Sequence, residues 1–338
     1  MATTVKLNIV IPSFNRDNLL AKCIGYLDKV FSRDNQNNGN IFIDTQVTVY
    51  RQFDPAVGPE TVDIKTDNIN VRIINRHKYK NFVFGNMLYD MAHDTDGVSQ
   101  IPSIYDPDNF KFSMLLDDDA HYYDAEKSIK IFREVIETSI NENVACIFIC
   151  ETFGNKMYRD IKKYPYQGMG CIYNTSLFDL KKLFSNEYCK VECSVDFMMT
   201  FKLWAMDHKV YCRGVRGVLD KDNNMPGGYH DSMVEKLNKN FSITRKYSVI
   251  HGLKRSAQHI YPDFFHYNSI NNRKDRVRPD IKEYIKSNIS FDDAGNIVRS
   301  VTDESIIMPF IEDGDMLKKD YDFNVSEVMS FIKQVSNA

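Results

Sequence analysis

Nothing in this chain points to a scaffold held by disulfides or a structural metal. Its seven cysteines never stand as a Cys-x-x-Cys pair and are odd in number. That pattern disfavours a disulfide framework or a zinc site and suits a reducing compartment. A strong excess of one charge is also missing. Lys and Arg number 43 against 46 Asp and Glu, a net charge of -3, so the chain as a whole is not a general polyanion binder. No stretch approaches the run of about 18 apolar residues that a membrane span needs, and residues 1–6 lack the basic and apolar regions of a signal peptide. Neither internal repeats nor low-complexity tracts occur. The expectation from these absences is a cytoplasmic globular protein without a membrane span.

What is present is an ordinary globular composition: 338 residues, 43% hydrophobic and 26% charged. That is enough for one large domain or two coupled ones. The first 240 residues alternate strand and helix signals. Short β-rich runs are predicted over 5–11, 46–51, 70–74, 112–116 and 144–150. Helical spacing covers 17–31 (Leu19, Leu20, Cys23, Ile24, Leu27, Val30), 82–92 and 125–138. This rhythm predicts an α/β sheet with helices on both faces. Beyond residue 240 the character changes. Residues 242–282 hold nine Lys/Arg against three Asp/Glu, and residues 283–338 hold five against eleven. We therefore expect a boundary near 240 and a mainly helical C-terminal extension over 241–338.

The stretch Phe112-Ser-Met-Leu-Leu-Asp-Asp-Asp119 places three carboxylates behind a strand-forming apolar run. Adjacent like charges repel, so a chain needing only solubility would scatter them. A solvated acidic turn or a helix cap is the plainer reading. Carboxylates at a strand end, however, sit in the crevice where open α/β sheets bind ligands. Hard cations such as Mn2+ and Mg2+ join one or two carboxylates to a diphosphate. In a strand that stayed extended, Asp117 and Asp119 would leave on one face and Asp118 on the other.

At this point the sequence resembles a known family. Lys6-Leu-Asn-Ile-Val-Ile-Pro-Ser-Phe-Asn-Arg-Asp-Asn-Leu-Leu20 looks like the opening of GT-A fold glycosyltransferases, close to the large family-two group. The resemblance continues at Asn70-Val-Arg-Ile-Ile-Asn75 and at Phe84-Gly-Asn-Met-Leu-Tyr-Asp-Met-Ala92, and residues 117–119 fall where the family keeps its Asp-x-Asp motif. Gly168-Met-Gly-Cys-Ile-Tyr-Asn-Thr-Ser-Leu-Phe178 resembles its acceptor strand. Cys193-Ser-Val-Asp-Phe-Met-Met-Thr-Phe-Lys-Leu-Trp-Ala-Met-Asp207 resembles its acidic helix start, and Pro226-Gly-Gly-Tyr-His230 its late histidine segment. The match covers roughly residues 5–232.

Such a resemblance implies a GT-A domain over 1–240, a Rossmann-like nucleotide-diphospho-sugar transferase sheet. Its nucleotide-sugar half would span about 1–119 and its acceptor half about 120–240. It implies a UDP-sugar donor contacted by Pro12, Ser13, Asn15, Arg16, Asn86, Asp117 and Asp118. It further implies Mn2+ or Mg2+ on Asp117, Asp119 and His230, and Asp196 as the general base of an inverting transfer. Two departures stand out. The usual Asp-Asp-Gly-Ser segment after the second strand is replaced by Arg51-Gln-Phe-Asp54. The usual Glu-Asp pair becomes Val195-Asp196, with Glu192 as a fallback.

Residues 242–282 interleave cations with Tyr247, Tyr261, Phe264, Phe265 and Tyr267, the mixture that nucleic-acid surfaces use for phosphate neutralisation and base stacking. A solvated basic face balancing the acidic tail is the alternative. The chain also resembles phage-type glycosyltransferases that decorate hydroxymethylated bases, which implies double-stranded DNA as acceptor and the host cytoplasm as location. A polysaccharide or lipopolysaccharide glycosyltransferase of the same fold, and a non-catalytic nucleotide- or nucleic-acid-binding module, are the competing readings.

Overall fold

A computed structural model of the chain describes residues 3–14, 16–37, 39–53, 62–77, 84–93, 109–150, 154–159, 170–185, 195–221, 289–295 and 297–299. β1 (Thr3–Phe14) is the spine of the molecule. It runs parallel to β2 (Ile41–Phe53) along its whole length and to β4 (Phe112–Leu116) on its other side. Beyond β2 lies β3 (Asn70–His77), again parallel. On the far side of β4 comes β8 (Gly170–Asn174), antiparallel to β4 and to β6 (Cys146–Cys150). β9 (Val210–Gly214) is parallel to β6, and β7 (Met157–Tyr158) closes the edge antiparallel to β9. The eight-stranded order is β3-β2-β1-β4-β8-β6-β9-β7.

One face of this sheet carries the main apolar core. Alternate residues Val5, Leu7, Ile9 and Ile11 of β1 and Phe112, Met114 and Leu116 of β4 lie against α1 (Asp17–Val30) and α4 (Ala125–Glu142). α1 meets them with Leu20, Cys23, Ile24 and Leu27, the three- and four-residue spacing of one helical face. α4 starts at Asp124, whose carboxylate accepts the Lys127 N–H at 3.0 Å, and ends at Asn143 in the left-handed region, φ 52°. It runs four residues past the predicted end because nothing before Asn143 breaks it. α2 (Arg33–Gln36) packs on the same side against α4.

The opposite face is covered by α3 (Phe84–His93), α5 (Leu180–Leu183) and α6 (Val195–Ala205). There Tyr173 of β8 donates its hydroxyl to Met199 Sδ of α6 at 2.8 Å and sets its ring edge-on to Phe184. α6 has Met199, Thr200, Lys202, Leu203 and Trp204 all buried, the pattern of a helix enclosed on several sides.

Two short ribbons complete the described chain. β5 (Ala120–Tyr122) pairs antiparallel with β10 (Leu219–Lys221), and β11 (Ile289–Phe291) with β12 (Ile297–Arg299). The helical content expected for 241–338 falls mostly outside the described residues. Where the extension is described it is this β-hairpin, which the sequence pattern did not predict.

Candidate functional site

The strand order reverses between β1 and β4: successive connections carry the chain outward from β1 through β2 to β3, then back to β4 on β1's other side. In open parallel sheets the crevice at the carboxyl ends of such a strand pair is where ligands bind. Of the predicted donor residues, Pro12, Ser13, Arg16, Asp117 and Asp118 lie at this crevice. Pro12 and Ser13 end β1, Arg16 precedes the first turn of α1, and residues 117–119 follow β4.

Their geometry differs from the pleated expectation. β4 stops at Leu116, and the backbone turns at once, with Ala120 N–H donating to Asp117 O at 3.2 Å. Alternation across a strand therefore does not apply. Asp118 and Asp119 are both buried, while Asp117 is half-buried. Ser13 Oγ donates to Asp118 Oδ2 at 2.7 Å. Arg16 spans the two buried acids, with Nη1 3.1 Å from Asp118 Oδ1 and Nη2 2.8 Å from Asp119 Oδ2. Burial pushes the Asp118 carboxyl up to about 7, against the pull of Arg16 and the Ser13 hydroxyl, with Asp119 and Asp117 adding to the rise.

Beneath the turn, Cys23 points its thiol at Asp117 O, 3.9 Å away. Burial first, then the three aspartates, raise this thiol well above its ordinary value. It is therefore an inert wall rather than a nucleophile. His121 packs its ring on Tyr26, centroids 5.5 Å apart. Gly170 lies opposite Leu116 in β8, and a Cβ there would come 3.1 Å from Leu115 O. Its lack of a side chain is a packing requirement of the strand that delivers the acids.

A second polar group lies next to this one, and sequence reasoning missed it. Arg51, fully buried near the end of β2, forks onto Asp17 in the first turn of α1, Nε–Oδ1 2.6 Å and Nη2–Oδ2 2.8 Å, and donates to Asn75 Oδ1 at 3.0 Å. The available signal was an arginine at the polar end of an apolar strand; its partner lies 34 residues away. Beside it, Gln52 is buried, and its Oε1 has no hydrogen-bond partner among the described residues.

Of the other predicted site residues, Asn86 lies in the first turn of α3 and Asp196 in the first turn of α6, with their side chains outside the described part of the structure. Asn15, Asp54, Glu192 and His230 are outside the described residues. The described part of β10 ends at Lys221, in register with Ala120.

Among the described residues, no three His, Cys, Asp or Glu side chains form a metal-binding group. The donor set nonetheless suits a hard cation that takes only one or two carboxylates and completes its shell with substrate phosphate. Asp118 and Asp119 both pair with the Arg16 guanidinium, and Asp117 is the third carboxylate of the same turn. Carboxylates gathered this closely attract a cation.

No protein-family model matches this chain, nor does any curated protein. Among solved structures, it is similar to S. aureus TarS residues 1–349, at 11% identity and TM-score 0.41, over 88% of this chain and 97% of that one. The same protein in complex with UDP-GlcNAc gives 11% identity and TM-score 0.39, over 78% and 71%. A 4-diphosphocytidyl-2C-methyl-D-erythritol synthase from Anaerococcus prevotii gives 12% identity and TM-score 0.36, over 66% and 94%. The fold assignment rests on the chain's own strand order. A mostly parallel sheet with β8 and the edge strand β7 reversed, and acids at the β1–β4 switch point, define an α/β fold of the GT-A type.

Proposed function

We propose that this protein is a glycosyltransferase that moves a sugar from a nucleotide-diphosphate donor, a UDP-sugar, to a hydroxyl acceptor. The observation that carries the reading is the acidic turn at residues 117–119, held against Ser13 and Arg16 at the topological switch point. Asp117 and Asp119, with His230, would hold Mn2+ or Mg2+, which when bound neutralises the leaving diphosphate. Pro12, Ser13, Asn15 and Asn86 would contact the donor, and Gln52 supplies a buried amide at the end of the neighbouring strand. Arg16 fixes Asp118 and Asp119 relative to β1, so the carboxylates need little reorganisation when the donor arrives.

Asp196 takes the acceptor hydroxyl proton. The freed oxygen attacks the anomeric carbon from the face opposite the diphosphate, whose C–O bond breaks with its electron pair. The product is inverted at that carbon, and Asp196 returns the proton to solvent. The acceptor we favour is a hydroxymethylated pyrimidine in double-stranded phage DNA, supported by the cation–aromatic composition of residues 242–282.

The test is incubation with a panel of nucleotide sugars, Mn2+ and hydroxymethylated DNA, followed by nucleoside mass spectrometry. A hexose or pentose adduct on the base supports the whole reading. Sugar transfer to a glycan but not to DNA keeps the enzyme and removes the DNA. No consumption of any nucleotide sugar contradicts it.

A further inference from the structure

On the acceptor side of the sheet, α6 buries a lysine in an otherwise apolar run. Lys202 has 0% exposure. Its Nζ donates to Lys182 O at 2.9 Å, to Gly295 O at 3.0 Å and to Ser185 Oγ. Ser185 Oγ in turn donates to Gly295 O at 3.0 Å, and the Phe291 ring lies 5.8 Å from the ammonium. An ammonium has three N–H donors, and here three acceptors meet them. Two acceptors belong to the turn that ends α5. The third comes from the C-terminal hairpin, 93 residues further along the chain.

The hairpin fits this place closely. Gly295 sits in its turn with φ +82°, and a Cβ there would come 2.7 Å from the Cα and carbonyl oxygen of Lys182. Those are backbone atoms and cannot swing aside. From the other flank, His93 of α3 brings Nε2 within 3.1 Å of both Lys181 O and Phe184 O. The turn after α5 thus gathers α3, α6 and the hairpin into one knot. A buried ammonium is costly unless its acceptors are in place, so Lys202 makes hairpin docking and α6 placement interdependent in a way that apolar packing would not.

We propose that Lys202 is a positioning residue for transfer: docking of the C-terminal hairpin on Lys202 sets the placement of α6, whose first turn carries Asp196. The proposal rests on the role given to Asp196 above.

The experiment compares full-length wild type, Lys202→Met, Gly295→Ala and the double variant, reading transfer kinetics and hydrogen exchange of residues 289–295. We expect each single variant to lose hairpin protection and to lower kcat roughly ten- to a hundredfold, as displacement of a catalytic group by a remote change does. Donor KM should stay within about twofold of wild type. The double variant should be no slower than the worse single variant, because both act through one junction. Loss of protection with kcat intact contradicts the positioning role alone, as does a parallel loss of donor affinity and kcat. A wild type without turnover contradicts the function proposed above, and the positioning role with it.

Discussion

In the proposed transfer, Asp196, at the start of α6, is the residue that takes the acceptor proton. Asp196→Asn is nearly isosteric but cannot accept a proton. Turnover should fall by roughly 100-fold or more, the range that general bases contribute, while donor affinity measured by calorimetry is retained. Equal losses of affinity and rate would instead mark a structural cap. A second residue gives a pH signature remote from the acids. His208 packs on Phe178, centroids 5.3 Å apart, and burial lowers its pKa, with Asp207 opposing. A depressed histidine binds fewer protons folded than unfolded. Its contribution to stability is therefore intact above the ordinary value near 6.5 and is lost as pH falls through the lower folded value. Urea midpoints from pH 8 down to pH 5 should drop more steeply for wild type than for His208→Gln. Parallel curves would remove His208 from the pH response.

At the scale of elements, Gly170 tests how firmly β8 seats the strand of acids. Gly170→Ala pushes a methyl to 2.9 Å from Met114 Cε and 3.1 Å from Leu115 O. Overpacking of this kind costs about 1–3 kcal/mol. Because the push falls on β4, nucleotide affinity should weaken along with the melting temperature. A loss of stability with nucleotide affinity unchanged would mean that the acidic turn is insulated from its strand. β4 itself was legible from its residues, since Phe112-Ser-Met-Leu-Leu is a short apolar run ending abruptly in charge. The turn that follows was not. Pleat alternation would separate Asp118 from Asp119, whereas Arg16 draws both together, and that depends on where α1 begins relative to β1. The Arg51–Asp17 fork was hidden for the same reason, being an ion pair between elements distant in sequence. The hairpin at β11 and β12 is too short for a period of two to register, yet Lys202, alone in the run Phe-Met-Met-Thr-Phe-Lys-Leu-Trp, was a visible sign that something polar must meet α6.

The whole chain joins a nearly neutral N-terminal part to a C-terminal segment with a strongly asymmetric charge. If residues 242–282 guide DNA, counterion release drives binding and affinity falls steeply with salt. Replacing Arg273, Lys274, Arg276 and Arg278 by Ala should flatten the salt slope by roughly one unit for each phosphate no longer neutralised. Donor hydrolysis without acceptor should hardly change. A salt slope identical to wild type would leave the basic run as a solvated counterweight to the acidic tail. In the proposed reaction, residues 117–119 hold the donor through a divalent cation. Calorimetric titration of UDP with and without Mn2+, for wild type and Asp119→Ala, tests it directly. The account predicts Mn2+-dependent UDP binding by wild type, abolished in an Asp119→Ala variant that remains folded by circular dichroism. Equal Mn2+-dependent binding by both proteins, or none by wild type, would contradict it.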